Sequence, residues 1–550
     1  MAARSLHRQD SKSSAKILLQ EYCSNSSIHG VRYFNREGQS WCESGWWIVV
    51  FLLSVGSCGY LINKVYQKWD ETPVIVSFHE KTTPVWKIPF PAVTICPRTK
   101  WSSSWLNFSE QYDVIMSDGI DATNRTDEIL ALMQLCDRTF MTSSRNRFKS
   151  FPNKTTNESY VDLMKAMPVP FNTDHFSCHF AGEPIDFDFF FRKTLTEEGL
   201  CYTFNGLSSE DLLKVKTDPD LFAKKRSPHW TLDSGYSSEA NLLSYPYRSI
   251  GPGALAGLSV MLVAQEKNLE YGCSGPVQGY KVLLHSPADY PQMTNRYIHI
   301  PLDQEVMIAV KPQMIQNSRK LEYYPPERRQ CYLSCDRSLR FFRVYTQDNC
   351  NLECLTNYTM MRCGCVRFSM VRSEDMPVCE TNQISCMQDA ETELLEMGVL
   401  DDENETNFHT ECDCMPGCTS VDYDVEITQN EFEIVEWAVA YGEKRKDFDG
   451  VYAAHLKIYY KNAQLMKQKR SELYGITDFL ANCGGLLGLC LGVSLLSLVE
   501  LCYYCSVRPL MLWKKWKQEP TKVDNIGLPE VCLLSTSEIM KQNVRNSGIY

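Results

Sequence analysis

The sequence predicts an α+β membrane protein in which two transmembrane helices bracket one large, disulfide-rich outer domain. Three observations carry that expectation. Two apolar stretches lie near either end of a 550-residue chain, a length at which a single core no longer suffices. The formal charge of -11 is unevenly spread: residues 1–45 carry +2, residues 505–550 carry +3, and the stretch between them carries -16. Sixteen of the 24 cysteines and six N-x-Ser/Thr sequons fall between the apolar stretches, the marks of an oxidising, glycosylating compartment. With 44% hydrophobic and 11% aromatic residues the chain can bury a large core, and its acidity argues against a nucleic-acid partner.

Residues 1–45 read as a cytosolic N-terminal segment. The first span, 46–66, is built on Trp46 to Ile62, 17 residues without a charge, edged by Trp46 and Trp47 on one side and Tyr60, Tyr66 and Trp69 on the other. That is the minimum for a crossing with interfacial aromatic belts, and it starts too far into the chain for an ordinary signal peptide. The second span, 475–504, has one acidic residue between Phe479 and Tyr504, Glu500, and is followed by Arg508, Lys514, Lys515 and Lys517. The positive-inside rule then makes 505–550 a cytosolic tail, with both termini inside and 67–474 outside a multi-pass protein of the plasma membrane. From Leu473 to Tyr504 the apolar stretch runs 32 residues, about 48 Å of straight helix against a hydrocarbon core of about 30 Å. The second span must tilt, break, or extend beyond the bilayer.

The outer segment carries sequons at Asn107, Asn124, Asn153, Asn157, Asn357 and Asn404, while Asn25, on the cytosolic side, should stay unmodified. Its cysteines are Cys96, Cys136, Cys178, Cys201, Cys273, Cys331, Cys335, Cys350, Cys354, Cys363, Cys365, Cys379, Cys386, Cys412, Cys414 and Cys418. Their even number predicts pairing throughout, with connectivity left open. The Cys-x3-Cys and Cys-x-Cys spacings lack placed histidines, so no metal is expected. Alternation predicts half-buried strands at Val421–Thr428 and around Leu456, Ile458 and Tyr460; Asp127–Cys136 and Asn351–Met361 read as short helices. The acidic run 388–405 reads as a solvated face.

Nothing in the chain points to an enzyme, a catalytic residue or a cofactor. There is no H-E-x-x-H, P-loop or G-x-S-x-G motif, and the Gly251–Gly257 cluster lacks dinucleotide spacing. Cys502 and Cys505 look like a redox pair but lie at the cytosolic membrane boundary, where space-filling or S-palmitoylation fits them better. The second span is unusual for an anchor. Gly484, Gly488 and Gly492 recur every four residues and would share one helix face; Asn482, Ser494, Ser497 and Glu500 add polar groups. Helix packing, with Glu500 reaching toward Arg508, and a pore lining both account for that pattern.

Six segments in chain order now resemble the degenerin/epithelial sodium channel family, across residues 18–509. They are SSIHGVRYF (Ser26–Phe34), FPAVTICP (Phe90–Pro97), CYTFN (Cys201–Asn205), GYKVLLH (Gly279–His285), CNLECLTNYTMMRCGC (Cys350–Cys365) and GLLGLCLGVSLLSLVE (Gly485–Glu500). RFFRVYTQDNC (Arg340–Cys350) and CDCMPGCTSVDYD (Cys412–Asp424) are most similar to the arthropod pickpocket channels. The resemblance implies a β-rich ectodomain with helical thumb and finger regions. It also implies a homo- or heterotrimer with related subunits, embedded in membrane lipid, passing sodium without voltage dependence and blocked by amiloride. Carried over by position, Gly492, Val493 and Ser494 would form the selectivity filter, and Gly488 the amiloride-sensitive position. Ala481 would be the small-residue gate position, Glu500 a pore carboxylate, and His29 with Gly30 the gating motif. Two departures stand out: PPERRQC (Pro325–Cys331) lacks the tryptophan of the acid-sensing members, and Tyr503 stands where many members have an acid. Proton gating is therefore not implied. An extracellular or mechanical stimulus is expected, and a non-conducting auxiliary or receptor subunit of the same fold is the alternative.

Overall fold

The computed structural model describes residues 18–34, 38, 40–71, 74–119, 125–144, 160–167, 177–215, 228–294, 296–403 and 412–512. The sequons at Asn124, Asn153, Asn157 and Asn404 lie outside the described residues. The chain divides into two compact units, one made of 1–70 with 476–550 and the other of 71–475.

Among the described residues the first unit holds a helical segment at 18–25 and three further α-helices. Helix α1, Trp41–Glu71, is long and apolar enough to cross a membrane. The second apolar stretch is not one helix. It forms α4, Ile476–Leu491, and α5, Leu495–Cys502, whose helical path runs on to Leu512. Of the three ways to fit 32 residues to a bilayer, the chain breaks.

The second unit is built on two sheets. The strands of these two sheets, in chain order, are β1 (Val74–Phe78), β2 (Ala92–Pro97), β3 (Cys178–Phe180), β4 (Glu183–Ile185), β5 (Phe191–Thr196), β6 (Gly199–Phe204), β7 (Leu258–Gln265), β8 (Tyr280–His285), β9 (Ile298–Ile300), β10 (Gln304–Asn317), β11 (Ser420–Glu431), β12 (Val451–Tyr460) and β13 (Gln468–Glu472). The larger sheet runs β1-β13-β10-β12-β7-β3-β4, with β11 also paired to β10; the smaller runs β9-β8-β2-β6-β5. Strand β10 lies parallel to β12 and β13, and its other partner, β11, is antiparallel. Alternation places Val306, Ile308 and Val310 of β10, Leu258, Val260 and Leu262 of β7, and Leu456, Ile458 and Tyr460 of β12 in one core. Each such side chain contributes about 1.5–3 kcal/mol by leaving water. The same alternation holds for only half of β11: Val421 is buried, but Ile427 is 44% exposed. Strand β2 is buried at every residue, so it reads as an apolar run and not as an alternating one.

Three of the six segments that carry the resemblance, Phe90–Pro97, Cys201–Asn205 and Gly279–His285, form joints of the smaller sheet. Gly279 has φ +121, and a Cβ there would lie 2.2 Å from the Ile300 carbonyl oxygen, so only glycine fits. Lys281 reaches Glu198 at 2.5 Å and Lys100 reaches the same carboxylate at 2.6 Å. Burial opposes ionisation of Glu198, yet the two lysines hold its carboxyl down at about 2. His285 lies 3.0 Å from the Thr94 hydroxyl and 3.0 Å from the Ser286 carbonyl, and burial pulls it down to about 4. It is a neutral bridge, donating from Nδ1 to the carbonyl and accepting at Nε2. Asn205, in the left-handed region at φ +61, donates to the Phe90 and Tyr247 carbonyls and accepts from Tyr247 N–H.

Helix α2, Gln347–Cys363, opens on Thr346, whose hydroxyl caps Asn349 N–H, and ends on Gly364 at φ +72. Cys350 and Cys354, one turn apart, pair with Cys414 and Cys412; Cys363 and Cys365 pair with Cys386 and Cys379. Cys96–Cys201, Cys136–Cys273 and Cys331–Cys418 complete seven disulfides. By restricting the unfolded chain, loops of these lengths contribute about 3–5 kcal/mol each. Two of the sixteen cysteines expected to pair do not: Cys178 and Cys335 are free. Opposite Cys178 across the sheet stand Ile185 and Val260, and burial pushes its thiol up to about 12. Cys335 is exposed on a turn. An even count therefore misled, because pairing needs facing Cβ atoms.

The acidic run lies on α3, Ile384–Glu403, and is not simply a solvated face: Ala390 is fully buried, Glu391 pairs with Arg367, and Glu393 with Arg362. Asn107 and Asn357 are exposed, and Asn107 also caps a helix by accepting from Glu110 N–H.

Candidate functional site

The site is the break between α4 and α5, where Gly492, Val493 and Ser494 leave helical geometry. Gly492 stands at φ +66, a conformation that costs an L-residue about 1–2 kcal/mol. Ser494 restarts the helix: its hydroxyl accepts from Ser497 N–H, and Ser497 Oγ accepts from Ser494 N–H, a reciprocal capping box. The Gly-x-Ser sequence thus supplies a stop and a start within three residues.

The N-terminal segment docks on the break. His29 N–H donates to the Leu491 carbonyl at 2.9 Å. Its imidazole fills the space a Gly492 side chain would need: a Cβ there would meet His29 Nδ1 at 2.6 Å. Gly30, at φ +90, turns the chain into a 3-10 turn, Val31–Tyr33, which is held on α1 by Tyr33 stacked on Trp47 at 4.4 Å and Phe34 edge-on to Phe51 at 5.2 Å. Farther on, Ser27 donates to Glu500 from its N–H (3.2 Å) and its hydroxyl (2.9 Å), and lies 2.7 Å from Ser497 Oγ. Arg508 pairs with Glu21 at 2.8 Å, and Tyr22 packs edge-on to Tyr504 at 5.4 Å.

These contacts revise two sequence expectations. Gly484, Gly488 and Gly492 do not share one helix face, because α4 ends at Leu491 and Gly492 belongs to the break. Glu500 takes Ser27 as its partner, and Arg508 takes Glu21. Ala481 and Gly488 are exposed on α4, where a Cβ at Gly488 would meet nothing nearer than the Val493 carbonyl at 3.9 Å. The structure thus brings His29, Gly30, Gly492, Val493, Ser494 and Glu500 into one region, while Ala481 and Gly488 lie earlier on α4.

Sequence reasoning missed a second polar feature, in the unit 71–475. A cleft of about 530 Å³ is lined by Asp289, Asp348 and Asp422. Burial, with Asp348 adding to it, pushes Asp289 up to about 8. The three carboxylates are far apart in sequence, so no local signal could have found them. Among the described residues no group of His, Cys, Asp or Glu is arranged to hold a metal ion.

A family model described as amiloride-sensitive sodium channel matches residues 22–504, from the docked N-terminal segment through both spans. The chain belongs to that family. Among its relatives, pickpocket protein 28 of Drosophila melanogaster is 28% identical over 523 residues, 91% of this chain and 80% of that protein. Sodium channel protein Nach of the same species is 25% identical, covering 91% and 88%. Acid-sensing ion channel 2 of Rattus norvegicus is 24% identical, covering 88% and 85%. This family member is accordingly a two-span, degenerin-type sodium channel subunit and not an enzyme.

Proposed function

We propose that this channel subunit forms the pore of a homo- or heterotrimer in the plasma membrane, with both termini cytosolic and residues 67–474 outside. It passes sodium in preference to potassium, without voltage dependence, under block by amiloride, and opens on an extracellular or mechanical stimulus. The observation that carries this reading is the break at Gly492–Ser494 with His29 docked against it. Unwound backbone is tolerated at membrane depth where it is buried in protein or lines water, and three copies around an axis would ring a cation with oxygens. In this arrangement Gly492, Val493 and Ser494 are the selectivity filter and Gly488, one turn before the break, is the amiloride position. Ala481 is small where closed helices approach, Glu500 concentrates cations near the cytosolic mouth, and His29–Gly30 couples the N-terminal segment to the gate.

Expression in oocytes, alone and with related subunits, tests it directly. Surface protein should give an amiloride-blocked inward sodium current, and photobleaching should count three subunits. A surface-expressed protein that adds no sodium current in any combination would refute the pore reading and leave the auxiliary one.

A further inference from the structure

The break poses an accounting problem, because the last carbonyls of α4 lose the amides that would continue the helix. Gly492 N–H bonds the Gly488 carbonyl at 2.9 Å, Val493 N–H the Leu487 carbonyl at 3.3 Å, and His29 N–H the Leu491 carbonyl. In an unbroken helix Cys490 would receive Ser494 N–H, but that group is turned to Ser497 Oγ at 3.1 Å. Its replacement comes from the first span: Ser54 Oγ donates to the Cys490 carbonyl at 2.6 Å.

We propose that Ser54 is a positioning residue for the pore break, holding the last turn of α4 in place by capping the Cys490 carbonyl from α1. The carbonyls of Gly492 and Val493 have no hydrogen-bond partner among the described residues. With Cys490 and Leu491 both occupied, the carbonyls of the break itself, Gly492 and Val493, are left to meet a permeant cation, as is that of Leu489, whose helical donor, Val493 N–H, turns to Leu487. A hydroxyl within an apolar span ordinarily bonds a carbonyl one turn back in its own helix; here it crosses to the other span. The sequence places it for that purpose. Ser54 lies one turn before Cys58, the one buried residue of α1, and one turn after Phe51, which packs on the docked N-terminal segment. Ser57, the other serine of that stretch, is exposed. The same stripe of the first span therefore touches both the gating segment and the end of α4, so movement of α1 reaches the break through one hydrogen bond.

This inference rests on the channel reading, and its test separates the two. Full-length protein carrying Ser54→Ala or Ser54→Thr would be compared with wild type by hydrogen exchange in lipid nanodiscs, over the peptide 488–494, and by reversal potentials at matched surface density. Ser54→Ala should speed exchange at Gly492 and Val493 about fivefold, the scale of one lost hydrogen bond, and lower the sodium-to-potassium permeability ratio. Ser54→Thr, which keeps the hydroxyl, should restore both. Unchanged exchange in Ser54→Ala, or faster exchange with an unchanged ratio, overturns the role given to Ser54. If wild type itself adds no current in any subunit combination, the channel reading fails, and exchange alone still decides whether Ser54 holds the break. Should Ser54→Ala not reach the surface, Ser54→Cys, a weak donor, takes its place under the same criteria.

Discussion

Replacing Gly492 with alanine asks how the N-terminal segment is held on the second span. A Cβ at this position would lie 2.6 Å from His29 Nδ1 and 2.7 Å from its Cγ and Cε1, closer than carbon tolerates, so the imidazole must leave. The backbone, at φ +66, then costs about 1–2 kcal/mol for a non-glycine residue. Losing the bond from His29 N–H to the Leu491 carbonyl adds about 1 kcal/mol. Together, about 2–3 kcal/mol should lower the docking equilibrium constant about 30- to 150-fold. Gly488 is the control, since a Cβ there meets only the Val493 carbonyl at 3.9 Å, and alanine inside a helix is favoured by about 0.5–1 kcal/mol. Hydrogen exchange over residues 26–34 in nanodiscs reads the docking. Gly492→Ala should strip the segment's protection and Gly488→Ala should leave it. Equal protection in both variants, or equal loss, would refute the proposed docking geometry.

The unit 71–475 makes three further demands. Glu198→Gln leaves Lys100 and Lys281 buried with side chains 5% and 9% exposed and no counter-charge. Breaking such a pair costs about 3 kcal/mol, read as a lower melting temperature of detergent-solubilised protein; an unshifted transition would contradict the buried triad. Because Glu198 is held at about 2 against an ordinary 4.5, its stabilisation is present above pH 4.5 and lost as pH falls toward 2, and Glu198→Gln should flatten melting temperature against pH across that window. The net effect is smaller than Glu198 alone suggests, since burial pulls Lys100 below its usual value. Native protein labelled from outside with a membrane-impermeant maleimide should react at Cys335 and not at Cys178, and labelling of Cys350 or Cys354 would contradict their disulfides.

How far the sequence reaches is best judged at single residues. Cys201, Lys281 and His285 are legible as a motif, yet their work as disulfide, ion pair and neutral bridge appears only when Cys96, Glu198 and Thr94 come beside them. The second span was legible as too long, a local property of spacing and residue type, and Gly492–Ser494 as its filter only through the resemblance. That Gly492 leaves the helix face shared by Gly484 and Gly488 was not legible, since periodicity assumes the helix continues. The partners of Glu500 and of the Leu491 carbonyl lie some 460 residues or more away in sequence, beyond any pattern in one chain. Ile427 kept the alternation of β11, but nothing described covers the outer half of that strand. The free Cys178 shows the limit of counting cysteines.

The central claim is that Gly492, Val493 and Ser494 set ion selectivity, and the reversal potential of Ser494 variants reaches it most directly. The Ser494 hydroxyl both caps α5 and lies in the break; removing such a cap costs about 0.5–2 kcal/mol, whereas threonine keeps it. In a conducting complex at normal surface density, exchanging external sodium for potassium should shift the reversal potential less in Ser494→Ala than in wild type. Ser494→Thr should retain the cap and sodium preference. An unchanged shift in Ser494→Ala, with wild-type surface protein and current, would contradict the assignment of this break as the filter.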